Sequence, residues 1–138
     1  PDIPLLMLDR NHIKQVFINI LMNSIQAMPK GGVITIQTRY RKEEDEVEIT
    51  FADTGIGMAE DELLLVFQPF YTTKDKGLGL GFNIIHKIVK EHGGYILLSS
   101  KKGEGTEIKL SFPVSPKTAN MDTHNNVIAL SDTIVINE

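Results

Sequence analysis

Residues 47–57, VEITFADTGIG, constrain this chain more than any other stretch. Val47, Ile49 and Phe51 alternate with Glu48, Thr50 and Ala52, the two-residue period of a half-buried strand. Asp53 continues the apolar parity, so the strand aims a carboxylate toward the core side. A carboxylate placed there is costly unless donors satisfy it. Thr54-Gly55-Ile56-Gly57 then breaks the strand in a tight turn that allows close backbone approach. Two readings follow: an aspartate capping its own turn, or an acceptor on a pocket floor facing a ligand amino group.

The rest of the chain supplies what such a strand packs against. Asp9 is placed to cap a helix from Arg10 to Met28, with Ile13, Val16, Phe17, Ile20 and Ala27 at helical spacing. Pro29-Lys30-Gly31-Gly32 stops it. Val33 to Tyr40 reads as a strand, and the charged run Arg41 to Glu46 as a solvated hairpin turn. Glu60 to Phe67 fits a short helix and Phe82 to His92 a long amphipathic one, ended by Gly93-Gly94. Tyr95 to Ser100 and the alternation of Ile108, Leu110 and Phe112 complete a second strand pair, and Leu5 to Leu8 fit an edge strand. The expected fold is α/β, an α+β two-layer sandwich: a mixed sheet of about five strands, covered on one face by about three helices. The expected division is a domain over residues 1–113 and an extension over 114–138, in which Val127 to Asn137 has the alternation of a small hairpin.

Composition narrows the chemistry. The 138 residues fit one domain, and a net charge of −4 offers no basic field for nucleic acid. The absence of cysteine excludes disulfides, thiolate zinc sites and a cysteine nucleophile. No apolar run reaches membrane-spanning length, which argues against direct membrane contact. Starting at Pro1, the chain reads as a fragment, whose parent remains free to be membrane-anchored.

Several other residues have chemical potential. Asn19 and Asn23 share one helix face, at the margin of the apolar stripe. Alone they read as structural amides; beside a polyphosphate they suit hydrated Mg²⁺. Thr106 has the inward parity of Ile108, Leu110 and Phe112. Gly77-Leu78-Gly79-Leu80-Gly81 follows a loop and opens a helix, where bare N–H groups attract anions. It matches neither GxGxxG nor GxxxxGK[ST], so alone it reads equally as a hinge.

The set is more specific than its members. Asn23, Asp53-Thr54-Gly55-Ile56-Gly57-Met58, Phe67-Gln68-Pro69-Phe70, Gly77-Leu78-Gly79-Leu80-Gly81 and Gly103-Glu104-Gly105-Thr106 occur in this order. From about Leu5 to Pro113 the chain resembles the catalytic, ATP-binding domain of sensor histidine kinases, with its N, G1, F, G2 and G3 boxes. The resemblance implies the Bergerat fold, shared with Hsp90, gyrase B and MutL. It implies Asp53 as acceptor for the adenine amine, Gly55 and Gly57 as glycines that admit adenine, and Thr106 in the adenine network. It implies Asn23 as the Mg²⁺ ligand, Asn19 as its phosphate-side neighbour, and Gly77, Gly79 and Gly81 as lid glycines, with Leu78 and Leu80 between them. Thr72, Thr73 and Lys74 fall where the lid meets the triphosphate, Lys74 as a γ-phosphate contact. Two positions depart from the pattern: Gln26 stands where many such kinases have lysine, and Leu78 where threonine or serine is frequent. Only Asp75 and Lys76 separate Lys74 from the glycines, so the expected lid is short.

The hydrolysing relatives carry a glutamate base one turn before the asparagine. Asn19 holds that place here, and an amide takes no proton from water, which favours phosphoryl transfer over hydrolysis. The resemblance places the acceptor histidine in a dimerisation domain of the same parent kinase. His12, His86, His92 and His124 lack the acceptor motif and read as surface or capping residues. A response regulator receiver domain is the expected downstream partner, and the expected location is cytoplasmic. An ATPase of the same fold and a nucleotide-binding interaction module remain the alternatives.

Overall fold

The computed structural model describes residues 2–66, 81–115, 126–130 and 133–137. Helix α1 spans Arg10–Gln26, and the Asp9 carboxylate accepts from the His12 N–H at 2.9 Å to cap it. Its buried stripe is Ile13, Val16, Ile20 and Ser24. Strands β1 (Ile34–Arg41) and β2 (Glu46–Asp53) form a hairpin, followed by the one-turn helix α2 (Glu60–Leu63). Helix α3 (Gly81–Glu91) buries Ile85, Ile88 and Val89. It ends in a Schellman turn: the Gly94 N–H bonds Val89 O at 3.0 Å and the Gly93 N–H bonds Lys90 O at 2.9 Å, with Gly93 at φ +70°.

Strands β3 (Tyr95–Lys101) and β4 (Gly105–Pro113) form the second hairpin, and β4 pairs with β2. Val47, Ile49, Phe51, Ile96, Leu98, Ile108, Leu110 and Phe112 all turn to the helix side and are buried there. The Phe17 ring of α1 meets Phe51 at 5.4 Å between centroids. This is the expected two-layer sandwich, with three helices among the described residues. No helix among them is long and apolar enough to cross a membrane.

Four details differ from the sequence reading. The sheet has six strands, in the order β1-β2-β4-β3-β6-β5, and every described pairing is antiparallel rather than mixed. The added pair is β5 (Asn126–Leu130) with β6 (Thr133–Asn137); β6 lies along β3, with Ile96 opposite Ile136 and Ser99 opposite Thr133. Leu5 to Leu8 form no strand. Their burial alternates without pairing: Leu6 and Leu8 lie against the core, while Leu5 and Met7 are 95% and 87% exposed. Finally, Glu46 is buried rather than solvated, because the Tyr95 hydroxyl donates to its carboxylate at 3.0 Å.

Candidate functional site

The carboxyl end of β2, the β3–β4 turn and the end of α1 meet at Asp53. The register sets Asp53 opposite Ile34 on one side and Thr106 on the other. Its Oδ1 accepts from the Gly55 N–H at 2.9 Å and from the Thr106 N–H at 3.2 Å. The carboxylate thus caps its own turn and also ties that turn to β4. Both bonds fall on Oδ1; among the described residues no donor hydrogen-bonds Oδ2. Asp53 is half-buried, so this second oxygen is an acceptor set beside the core.

The glycines here make room for the protein's own backbone. A Cβ on Gly55 would stand 2.7 Å from the Ala27 carbonyl oxygen. The Ile56 N–H bonds that same carbonyl at 2.9 Å, locking the turn under the end of α1. Gly57, at φ +65°, would drive a Cβ to 2.1 Å from the Lys101 carbonyl oxygen. Gly105, at φ +101°, would place one 2.0 Å from the Asp53 carbonyl oxygen. The Gly103 N–H completes the lock on Ile56 O at 2.7 Å. The two turns therefore interdigitate without side chains between them.

Asn23 joins the site through the helix. The Ala27 N–H bonds Asn23 O at 3.0 Å, and Ala27 in turn contacts Gly55 and Ile56. The start of α3 approaches Asn23: a Cβ on Gly81 would lie 3.4 Å from the asparagine amide nitrogen. Asn19 lies one turn earlier, half-buried at the edge of the same stripe. The structure thus brings Asn19, Asn23, Gly81, Gly55, Gly57, Asp53 and Thr106 to one end of the sandwich. Thr72, Thr73, Lys74, Gly77, Leu78, Gly79 and Leu80 lie outside the described residues, as does Phe67-Gln68-Pro69-Phe70.

Ser100 was not singled out by the sequence. It is 4% exposed and its Oγ accepts from the Met58 N–H at 2.8 Å, contacts Gly105 O at 2.9 Å, and lies 2.8 Å from Thr106 Oγ1. Its parity with the inward Ile96 and Leu98 was the available signal.

The histidines occupy other places. His92 accepts from the Asp9 N–H at 3.0 Å through Nε2, and its Nδ1 donates to Ile88 O at 2.7 Å. His12 meets it edge to face at 6.3 Å. His86 is half-buried on α3; burial first, and the Lys90 ammonium second, lower its pKa. A recess of about 520 Å³ lies on the opposite face of the sheet, with Gln37, Arg39, Glu48, Thr50, Glu107 and Lys109 among its lining residues. Lys109 lies 3.4 Å from Glu107 there, Glu48 lies 3.8 Å from Arg41, and the recess does not reach Asp53.

One end of this antiparallel, helix-backed sheet thus carries an inward aspartate braced by two interlocked glycine turns. The sequence profile described as "Histidine kinase-, DNA gyrase B-, and HSP90-like ATPase" matches residues 8–116, and the chain belongs to this family. Sporulation kinase E of Bacillus subtilis (strain 168) is 47% identical over 113 residues, covering 82% of this chain and 15% of that protein. The nucleotide-free catalytic domain of histidine kinase ThkA is 34% identical with a TM-score of 0.71, covering 80% of this chain and 73% of that one. Full-length ShkA in complex with AMPPNP is 25% identical with a TM-score of 0.72, covering 85% of this chain and 24% of that one. The chain spans about a quarter or less of the length of the curated relatives it matches.

Proposed function

We propose that this chain is the ATP-binding catalytic domain of a sensor histidine kinase, with residues 1–113 as the domain and 114–138 as an extension of it. It binds ATP with Mg²⁺ and transfers the γ-phosphoryl group to a histidine on a dimerisation domain of the same parent kinase. A receiver domain of a response regulator then takes the group, and the location is cytoplasmic. The observation that carries this reading is Asp53: Oδ1 is held by two backbone donors, and Oδ2 is left to accept from an adenine amine.

Asn23 suits Mg²⁺ because this ion keeps waters and phosphate oxygens and asks few oxygens of the protein. The metal would supply neutralisation of phosphate charge. Thr72, Thr73, Lys74, Gly77, Leu78, Gly79, Leu80 and Gly81 are assigned to the phosphates, Leu78 through its backbone alone. Gln26 brings no charge to them. In the transfer the bond from Pγ to the β,γ-bridging oxygen breaks, a P–N bond forms to the acceptor imidazole, and ADP leaves. The domain contributes positioning and charge stabilisation. Asn19 is no base, so we assign no water-activating residue here.

Incubated with γ-labelled ATP, the chain should stay unlabelled and should label an added dimerisation domain. Label on this chain alone would overturn transfer to a separate acceptor domain, and steady phosphate release without an acceptor would favour an ATPase over a kinase. ATP-Mg²⁺ at ~100 times its Kd should add roughly 2.7 kcal/mol of stability. No thermal shift would leave an interaction module as the surviving reading.

A further inference from the structure

The hydroxyl of Ser100 touches three partners, and a hydroxyl has one proton and two lone pairs. Gly105 O, at 2.9 Å, only accepts, and the Met58 N–H, at 2.8 Å, only donates. The remaining contact, with Thr106 Oγ1 at 2.8 Å, has a direction set by these two. Were Ser100 to donate to Thr106, Ser100 Oγ and Gly105 O would face each other at 2.9 Å with no proton between them. That juxtaposes two acceptors in a buried place and forfeits a hydrogen bond. All three contacts are productive only when Ser100 donates to Gly105 O and Thr106 donates to Ser100.

We propose that Ser100 is a positioning residue for nucleobase specificity: it captures the Thr106 hydroxyl proton, leaving Thr106 an acceptor and favouring a 6-amino over a 6-oxo purine. This rests on the adenine reading of the site. The N–H groups of five surrounding residues are committed in the same sense. The N–H groups of Gly55 and Thr106 go to Asp53 Oδ1. Those of Thr54, Ile56 and Met58 go to Val33 O, Ala27 O and Ser100 Oγ. What these residues retain are acceptors: Asp53 Oδ2 and the Thr106 lone pairs. An amine meets them with protons, whereas a 6-oxo group meets them with another lone pair.

The test is calorimetric binding of ATP and of inosine triphosphate, whose base carries the 6-oxo group, to the full chain and to Ser100 variants. In Ser100→Ala the Thr106 hydroxyl turns freely and can donate, so the ratio of ATP to inosine triphosphate affinity should fall about five- to tenfold, the worth of one hydrogen bond. Ser100→Thr, which keeps the hydroxyl, should restore it. Ser100→Cys fills the same space with a weak donor and acceptor, and carries the test if the alanine variant does not fold. A merely structural Ser100 would weaken both nucleotides equally; an unchanged ratio overturns the proposal and leaves the adenine reading intact. An unaltered chain that binds neither nucleotide overturns the adenine reading and this proposal together.

Discussion

Asp53→Asn separates the carboxylate's two duties. The amide oxygen keeps the Oδ1 position, because turning the amide over would set its NH₂ against the Gly55 and Thr106 N–H groups, now bonded at 2.9 and 3.2 Å. Its nitrogen must then replace Oδ2, the acceptor assigned to the adenine amine. A hydrogen bond to a charged group contributes about 1.5–3 kcal/mol, and a donor now faces a donor. A combined loss of about 2–4 kcal/mol weakens ATP binding about 30-fold to several hundredfold. Folding loses far less. Two backbone bonds become neutral instead of charge-assisted, at a half-buried position, which costs about 1 kcal/mol and lowers the Tm by about 3 °C. Calorimetric titration with ATP-Mg²⁺ and a nucleotide-free melt read the two effects separately. Affinity retained within about twofold of the parent, a loss below about 0.4 kcal/mol, would refute the assignment of Oδ2 to the base. A nucleotide-free chain that no longer folds would show instead that Asp53 is chiefly a staple of the turn.

Gly57→Ala and Gly105→Ala should each cost about 3 kcal/mol or more in denaturant unfolding, since the new Cβ meets backbone oxygens at 2.1 and 2.0 Å on top of the positive-φ strain. Gly103→Ala is the control: φ is +85° with nothing within 4 Å, so only strain of about 1–2 kcal/mol should appear. His86, held neutral by burial and by Lys90, should make stability pH-dependent. The unfolded chain takes up the proton first, so this contribution is complete above pH 6.5, the ordinary value, and declines as pH falls toward the lowered folded-state pKa. His86→Gln should flatten that part of a melt series between pH 5 and 7.5, and an unaltered slope would refute it. Truncation after Ser115 removes the strand that pairs with β3 at Ile96 to Ser99. The shortened chain should keep ATP affinity yet associate with rising concentration in sedimentation, because an edge strand then lies open.

Local periodicity told the sequence where Asp53 and Thr106 point, because a strand's period of two leaves one choice once Val47, Ile49 and Phe51 are committed to the core. It also marked the Asp9 cap and the glycines ending α3, both decided within a few residues. What it missed is non-local. Glu46 looked solvated in a charged run, since the hydroxyl that satisfies it belongs to Tyr95, 49 positions away. The short apolar run Leu5 to Leu8 looked like an edge strand, yet an apolar run serves packing as well as pairing; the Asp9 N–H goes to His92, 83 positions away. The sheet's uniform antiparallel pairing is a property of which strands meet, and no single strand encodes it. Ser100 passed unnoticed because its importance comes from Met58, Gly105 and Thr106 converging on it.

The glycines mark the sharpest difference between pattern and cause. Their place in the motif implies room for a base, whereas the geometry fills the missing Cβ positions of Gly55 and Gly57 with the Ala27 and Lys101 backbones. The two accounts act at successive steps. Only when the turns close to backbone distance does Oδ1 reach both of its donors, and only then is Oδ2 held in one direction. Pre-organising that oxygen in the fold removes an ordering cost that binding would otherwise carry. Substitutions at Gly57 and Gly105 should therefore be read first as losses of stability and only secondarily as losses of affinity. Changes at Asp53 Oδ2 and at the Thr106 hydroxyl should act in the opposite order. A glycine variant that lost ATP affinity while melting like the parent would break this ordering and give the glycine a direct part in contacting the base.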